Sequence, residues 1–146
     1  MTNGILLYPE NRPIKGLKSK YATDWESLFL GFQSTYSFPS NVNVNTLFRY
    51  HFLEYGAVAD WNLRTDLAHP VSFRHSGYGQ GAELKCGISY LINNWRLTFS
   101  YNHVRFKIKD GQDRLFFSTG SMVKSRLNEV EWRSQSLSFE IGYIFQ

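Results

Sequence analysis

The side chains able to do acid–base or nucleophilic chemistry are few. They are His51, His69, His75 and His103, the single Cys86, and a scatter of carboxylates among which Asp60 stands near the end of a long alternating segment. A histidine held beside a carboxylate can take a proton from water, but the spacing ties none of the four to Asp60, which by itself is a solvated or salt-bridged carboxylate. His51 falls mid-segment among polar positions, where a structural role is expected. His69 lies in the loop after Asn62, and His75 and His103 lie near segment ends. Cys86 sits among apolar alternation, as a small apolar residue does, and a lone cysteine excludes an internal disulfide. No cluster has metal-ligand spacing, and neither a phosphate-binding glycine loop nor a Gly-x-Ser-x-Gly turn is present. Lysines and arginines form no stripe interleaved with aromatics, so nucleic-acid binding is not expected.

The elements that must carry these groups are strands. From Leu137 to Phe145 each odd position is large and apolar (Leu137, Phe139, Ile141, Tyr143, Phe145), with Ser138, Glu140, Gly142 and Ile144 between. Period two marks a strand with unlike faces. Four more segments alternate in the same way, over roughly Trp25–Phe38, Val42–Asn62, Ser72–Ile92 and Trp95–Lys109, and the fifth spans roughly Arg126–Phe145. Apolar parity switches after Tyr101 to Val104, Phe106 and Ile108, which implies a bulge or a change of environment. Pro39–Asn41 and Asn93-Asn94 are tight turns, since Asn tolerates positive φ. Leu63–Pro70 and Asp110–Ser125 are longer loops, and the first 24 residues, with Gly4, Pro9, Pro13 and Gly16, are loop or irregular strand end.

At 146 residues the chain, 1–146, is a single domain. Aromatics reach 17% while charged residues are only 19%, and mean hydropathy is slightly negative. That pattern fits a membrane β-barrel, whose alternating strands cancel in any window average. The longest uncharged stretch, Ser27–Phe48, is interrupted by Gln33, Asn41, Asn43 and Asn45 and is no spanning helix. Short connections alternating with long ones match tight periplasmic turns and extended outer loops, and the segments exceed the 9–11 residues a crossing strand needs, so they protrude beyond the outer leaflet. Charges such as Arg49, Glu83, Lys85, Arg96 and Glu140 fall on the face opposite the aromatics, where a polar lumen accommodates them. A soluble sandwich would place the same residues on its wet face. The expected class is an all-β, antiparallel up-and-down transmembrane barrel in a bacterial outer membrane, with membrane lipid as its partner.

Several stretches resemble a known family, the omptins, ten-stranded outer-membrane endopeptidases of Gram-negative bacteria. They are Ser27–Tyr36 (SLFLGFQSTY), Asn45–Tyr50 (NTLFRY), Ala59-Asp60-Trp61-Asn62, Cys86–Asn94 (CGISYLINN), Leu97–His103 (LTFSYNH) and Glu140–Phe145 (EIGYIF). The five segments resemble the sixth to tenth strands of that barrel. The resemblance implies a rim site in which an Asp-x-His pair, opposite two further aspartates, activates water against a peptide bond between basic residues. The Asp of that pair falls on the catalytic candidate Asp60 and the His position on Asn62, which cannot accept water's proton. The opposing aspartates belong to the half of the barrel without counterpart here. The resemblance thus implies a partial or catalytically degenerate endopeptidase, with a non-enzymatic structural or adhesive barrel module as the alternative. No cofactor or metal is implied. The resemblance also implies lipopolysaccharide binding by basic residues, for which Arg105, Lys107, Lys109 and Lys124 are candidates.

Met1–Leu7 has neither a basic n-region nor a full apolar h-region, and five strands are too few to close a barrel. The expectation is that the chain is the C-terminal half of a longer barrel or a truncated reading frame.

Overall fold

The structure, a computed structural model, describes residues 15–145. It is all-β: β1 (Lys20–Ser37), β2 (Val42–Asp60), β3 (Phe73–Ile92), β4 (Trp95–Phe116), β5 (Met122–Leu127) and β6 (Val130–Tyr143). Each strand pairs antiparallel with the next in the order β1-β2-β3-β4, and β4 carries both β5, at its C-terminal end, and β6 along the rest. The sheet is an up-and-down meander and, among the described residues, is not closed: β1 and β6 have free edges there.

The ladder register explains the alternation. Leu28, Leu30, Phe32 and Tyr36 lie opposite Phe52, Tyr50, Phe48 and Val44. Phe48 and Val44 in turn meet Leu84 and Ile88 of β3, Ile88 and Tyr90 meet Phe99 and Leu97 of β4, and these meet Phe139 and Ile141 of β6, so the apolar positions step toward the tight turns from β1 to β6. One face therefore carries an uncharged apolar belt across the whole sheet, and its side chains are bare, Leu28 at 75% exposure and Leu137 at 69%. The stretch Leu28–Tyr36 has the length of a tilted crossing strand. Aromatics gather where the belt ends at the tight turns, with Tyr36 against Phe38 and Trp95 against Tyr143. Such a girdle suits the membrane–water boundary.

The two tight turns form where Asn takes positive φ, Asn41 at 61° and Asn93 at 51°. Asn94 then fastens the end of the chain: its Nδ2 donates to the Ile144 carbonyl and its own carbonyl accepts from the Ile144 N–H.

Beyond the belt the strands, 18 to 22 residues long for β1 to β4, run on. There the opposite face folds over itself. Trp25 of β1 lies 5.9 Å from Phe106 of β4, whereas a flat sheet would hold them about 14 Å apart, three strand spacings. Under these rings a core of Leu53, Tyr55, Ala57 and Ile108 is excluded from solvent, Tyr55 at 2% and Ile108 at 1%. The tight curl depends on Gly77, Gly79 and Gly81, which alternate on the inner face of β3. A Cβ on Gly79 would stand 2.8 Å from the Ile108 Cα, and one on Gly81 would collide with the Phe106 ring.

Two expectations need correcting, and two more resolve between the alternatives left open. Of the first 24 residues, expected as loop or irregular strand end, residues 20–24 form the beginning of β1, and residues 1–14 lie outside the described residues. Asp110–Ser125 is not a loop: β4 continues to Phe116, turns through residues 117–121, and returns as β5. The fifth segment is accordingly two strands, β5 and β6. Of the two readings of the parity switch, the change of environment holds: Val104, Phe106 and Ile108 keep the ladder in step with Glu83, Gly81 and Gly79, so the switch marks the inner core, and a bulge comes only afterwards, at Lys109.

Two substitutions test this division. Phe99→Arg, in the belt, is expected to destabilise the membrane-folded state by about 2–4 kcal/mol, read by urea unfolding in lipid vesicles. Phe106→Ala, in the core beyond the belt, is expected to cost about 3–5 kcal/mol through the cavity it leaves, read in the same assay.

Candidate functional site

Three groups of polar side chains could do chemistry, and the register places them apart. The first is at the far end of β2. Asp60 Oδ1 lies 2.6 Å from His69 Nδ1, both partly exposed. The loop that returns His69 to Asp60 is closed by Ser72, which is buried, accepts from the Trp61 N–H at 2.9 Å and donates to the Ala68 carbonyl at 3.0 Å. Both functions of that hydroxyl are therefore engaged in holding the loop. Beside it, Asn62 is a clamp: Oδ1 accepts from the Lys18 N–H and the Ser19 hydroxyl, while Nδ2 donates to the Gly16 carbonyl at 2.7 Å.

The second group lies on the inner face. His75 Nε2 is 3.3 Å from Asp113 Oδ1, and this pair belongs to the face opposite that of Asp60, since Ala59 rather than Asp60 shares parity with Phe73 and His75. Lower on the same face a cavity of about 440 Å³ is lined by Gln33, Asn45, Arg49, Glu83, Lys85, Ser100 and Glu140 from five neighbouring strands. Arg49 bonds Glu83 at 3.1 Å and lies over the Phe29 ring. His51, buried between Phe29 and Phe106, meets the Ser27 hydroxyl through Nδ1 at 3.1 Å. This is a solvated inner wall of opposed charges capped by an aromatic core. The Tyr55 phenol in that core, pushed up by burial and by its 2.9 Å hydrogen bond to Tyr21, stays protonated at any ordinary pH.

The third group is on the outer face just past the belt. A groove of about 540 Å³ is lined by Tyr50, Tyr78, Gln80, Ala82, Arg105, Lys107, Lys109 and Asp110. Arg105 and Arg133 face each other across the ladder, an arrangement that repels on its own. Glu131 lies between them, bonded to both guanidinium groups, to Arg105 at 2.6 Å. Lys107 pairs with Glu129 at 2.9 Å.

Of the residues singled out in the sequence, Asp60 thus has a histidine partner, His69, which the spacing did not assign. His75 and His103 do not approach Asp60: His75 pairs with Asp113, and His103 stacks on Tyr101 on the outer face. Arg105, Lys107 and Lys109 meet in one groove, while Lys124 lies on β5 opposite Arg114. Cys86 is exposed on the belt face opposite Thr46 and Tyr101. The Glu131 bridge was missed, because only the register shows that residues 26 apart are neighbours. Among the described residues no group of three histidine, cysteine or carboxylate side chains could hold a metal ion.

Residues 8–145 match a family model described as Pom, Protochlamydia outer membrane protein, and the chain belongs to that family. It is a bacterial outer-membrane protein. No curated protein and no solved structure is significantly similar to it. The omptin resemblance is corrected by this match: the shared stretches are aromatic alternation and Asn turns, which any outer-membrane barrel uses. The role drawn for Asp60 and Asn62 from that family has no further basis in it.

The Glu131 carboxyl is held down to about 2 by Arg133 and then Arg105. Its folded value lies below its ordinary 4.5. The tie therefore supports the folded rim fully above pH 4.5 and is lost as pH falls through about 2. A carbon-detected NMR titration should place the Glu131 midpoint far below those of unpaired glutamates, and Arg105→Gln should raise it.

Proposed function

We propose that this member of the Protochlamydia outer-membrane family works as a non-enzymatic wall of an outer-membrane β-barrel, which holds its extended rim clear of the bilayer. The observation that carries this reading is the unequal division of the sheet. One face presents a charge-free belt that steps from Leu28–Tyr36 on β1 to Leu137–Tyr143 on β6, and the other presents Arg49, Glu83, Lys85 and Glu140 around a solvated cavity. Lipid accepts the first face and water the second. Beyond the belt the aromatic core stiffens strands that carry the loops at residues 61–72 and 117–121 outward, where they form the surface met by the environment.

Peptide cleavage forms no part of the reading. Ser72 beside the Asp60–His69 pair is engaged through both functions of its hydroxyl, and Asn62 is a clamp. The pair's work is to pin the loop to the end of β2. In the outer leaflet the lipid beside the belt includes lipopolysaccharide, whose phosphates would face the basic groove.

The protein in lipid vesicles should leave a fluorogenic dibasic peptide uncleaved. Proteolysis from outside should cut at residues 61–72 or 117–121 and spare the belt segments. Peptide cleavage that Asp60→Asn abolishes would overturn the non-enzymatic reading, and digestion through Leu28–Tyr36 would overturn the wall.

A further inference from the structure

We propose that the outer-face groove between β2, β3 and β4 binds the phosphate group of an anionic lipid in the outer leaflet. The inference rests on the reading of the belt face as the lipid face.

The register fixes the depth of the groove. Along β4 the belt ends at Tyr101, and the next outer-face positions are His103, Arg105 and Lys107, level with Leu84, Ala82 and Gln80 of β3, while Tyr50 and Phe52 of β2 beside them still belong to the belt. The first positive charges on this face therefore appear within two rows of the apolar belt, where lipid phosphates lie. Ala82 is the reason there is a groove: a methyl group stands between a phenol ring and a guanidinium, leaving a trough with an aromatic wall and a basic wall.

The bulge completes it. At Tyr78/Gly79 the register shifts, and Lys109 is the extra residue with no ladder partner. A bulge re-aims side chains, and here Lys109 lines the groove beside Lys107. Lys109 has no ion-pair partner among the described residues, Lys107 pairs with Glu129, Glu131 is divided between Arg105 and Arg133, and the lining carboxylate Asp110 is engaged by Arg126, so five cations meet three carboxylates. The cations exceed the carboxylates that neutralise them. A phosphate monoester offers the several anionic oxygens that Arg105, Lys107 and Lys109 can bond together, and its acyl chains would run down over Ala82 and Leu84 onto the belt.

The test uses the full chain in maltoside micelles with three probes: dihexanoyl phosphatidic acid, dihexanoyl phosphatidylcholine and inorganic phosphate. Amide shifts of Gly79, Gly81 and Lys109 report occupancy. Phosphatidic acid should shift them saturably, phosphatidylcholine should not, and Lys107→Gln/Lys109→Gln should weaken binding by about tenfold or more, with Lys124→Gln unchanged. Equal shifts with phosphatidylcholine, or an unaltered affinity in the double variant, would overturn the site. Inorganic phosphate binding as tightly as the lipid would overturn the lipid assignment. The protease-protection result decides the wall reading independently of all three.

Discussion

In hydrocarbon a backbone N–H or C=O without a partner costs several kcal/mol, because no water is there to replace it. The structure follows from that constraint. Among the described residues no helix is long and apolar enough to cross a membrane, so they can cross only as paired strands, and pairing in a meander gives each strand two unlike faces. The belt and the charged inner wall are thus two sides of one solution. The same constraint acts on the free edges of β1 and β6, which in lipid need neighbouring strands. Both run toward the tight-turn end, so antiparallel neighbours must run away from it.

Outside the bilayer the constraint relaxes and a different one takes over. Strands that continue into water need a core, and the sheet makes one by curling tightly over Gly77, Gly79 and Gly81, so that Trp25, Tyr55 and Phe106 bury each other. The rim is therefore a water-soluble β-structure on top of a membrane one. The outer-face groove lies where the two regimes meet.

The membrane half was legible in the sequence because lipid and lumen impose opposite polarity on successive residues. Leu137–Tyr143 and the Asn93-Asn94 turn stand in the structure as the alternation and the Asn signal imply. The rim was less legible. In Asp110–Phe116 both faces carry polar side chains, so Gln112, Asp113 and Arg114 show no alternation, and a strand looked like a loop. Pairing across strands was hidden as well. Asp60–His69 and Arg105–Glu131–Arg133 depend on loop closure and register, which residue types alone do not state. The family was misjudged for the converse reason: stretches such as SLFLGFQSTY satisfy the demands of any barrel strand and so discriminate poorly among barrels.

The central claim is that even-numbered residues of β1 face lipid and odd-numbered ones face water. Spin labels placed singly from Leu28 to Tyr36 in a Cys86→Ser background, with collision rates to oxygen and to a water-soluble nickel chelate measured in vesicles, address it directly. The account expects a period-two pattern, with oxygen favoured at Leu28, Leu30 and Phe32 and nickel at Gly31, Gln33 and Thr35. Uniform nickel access along the strand would contradict it.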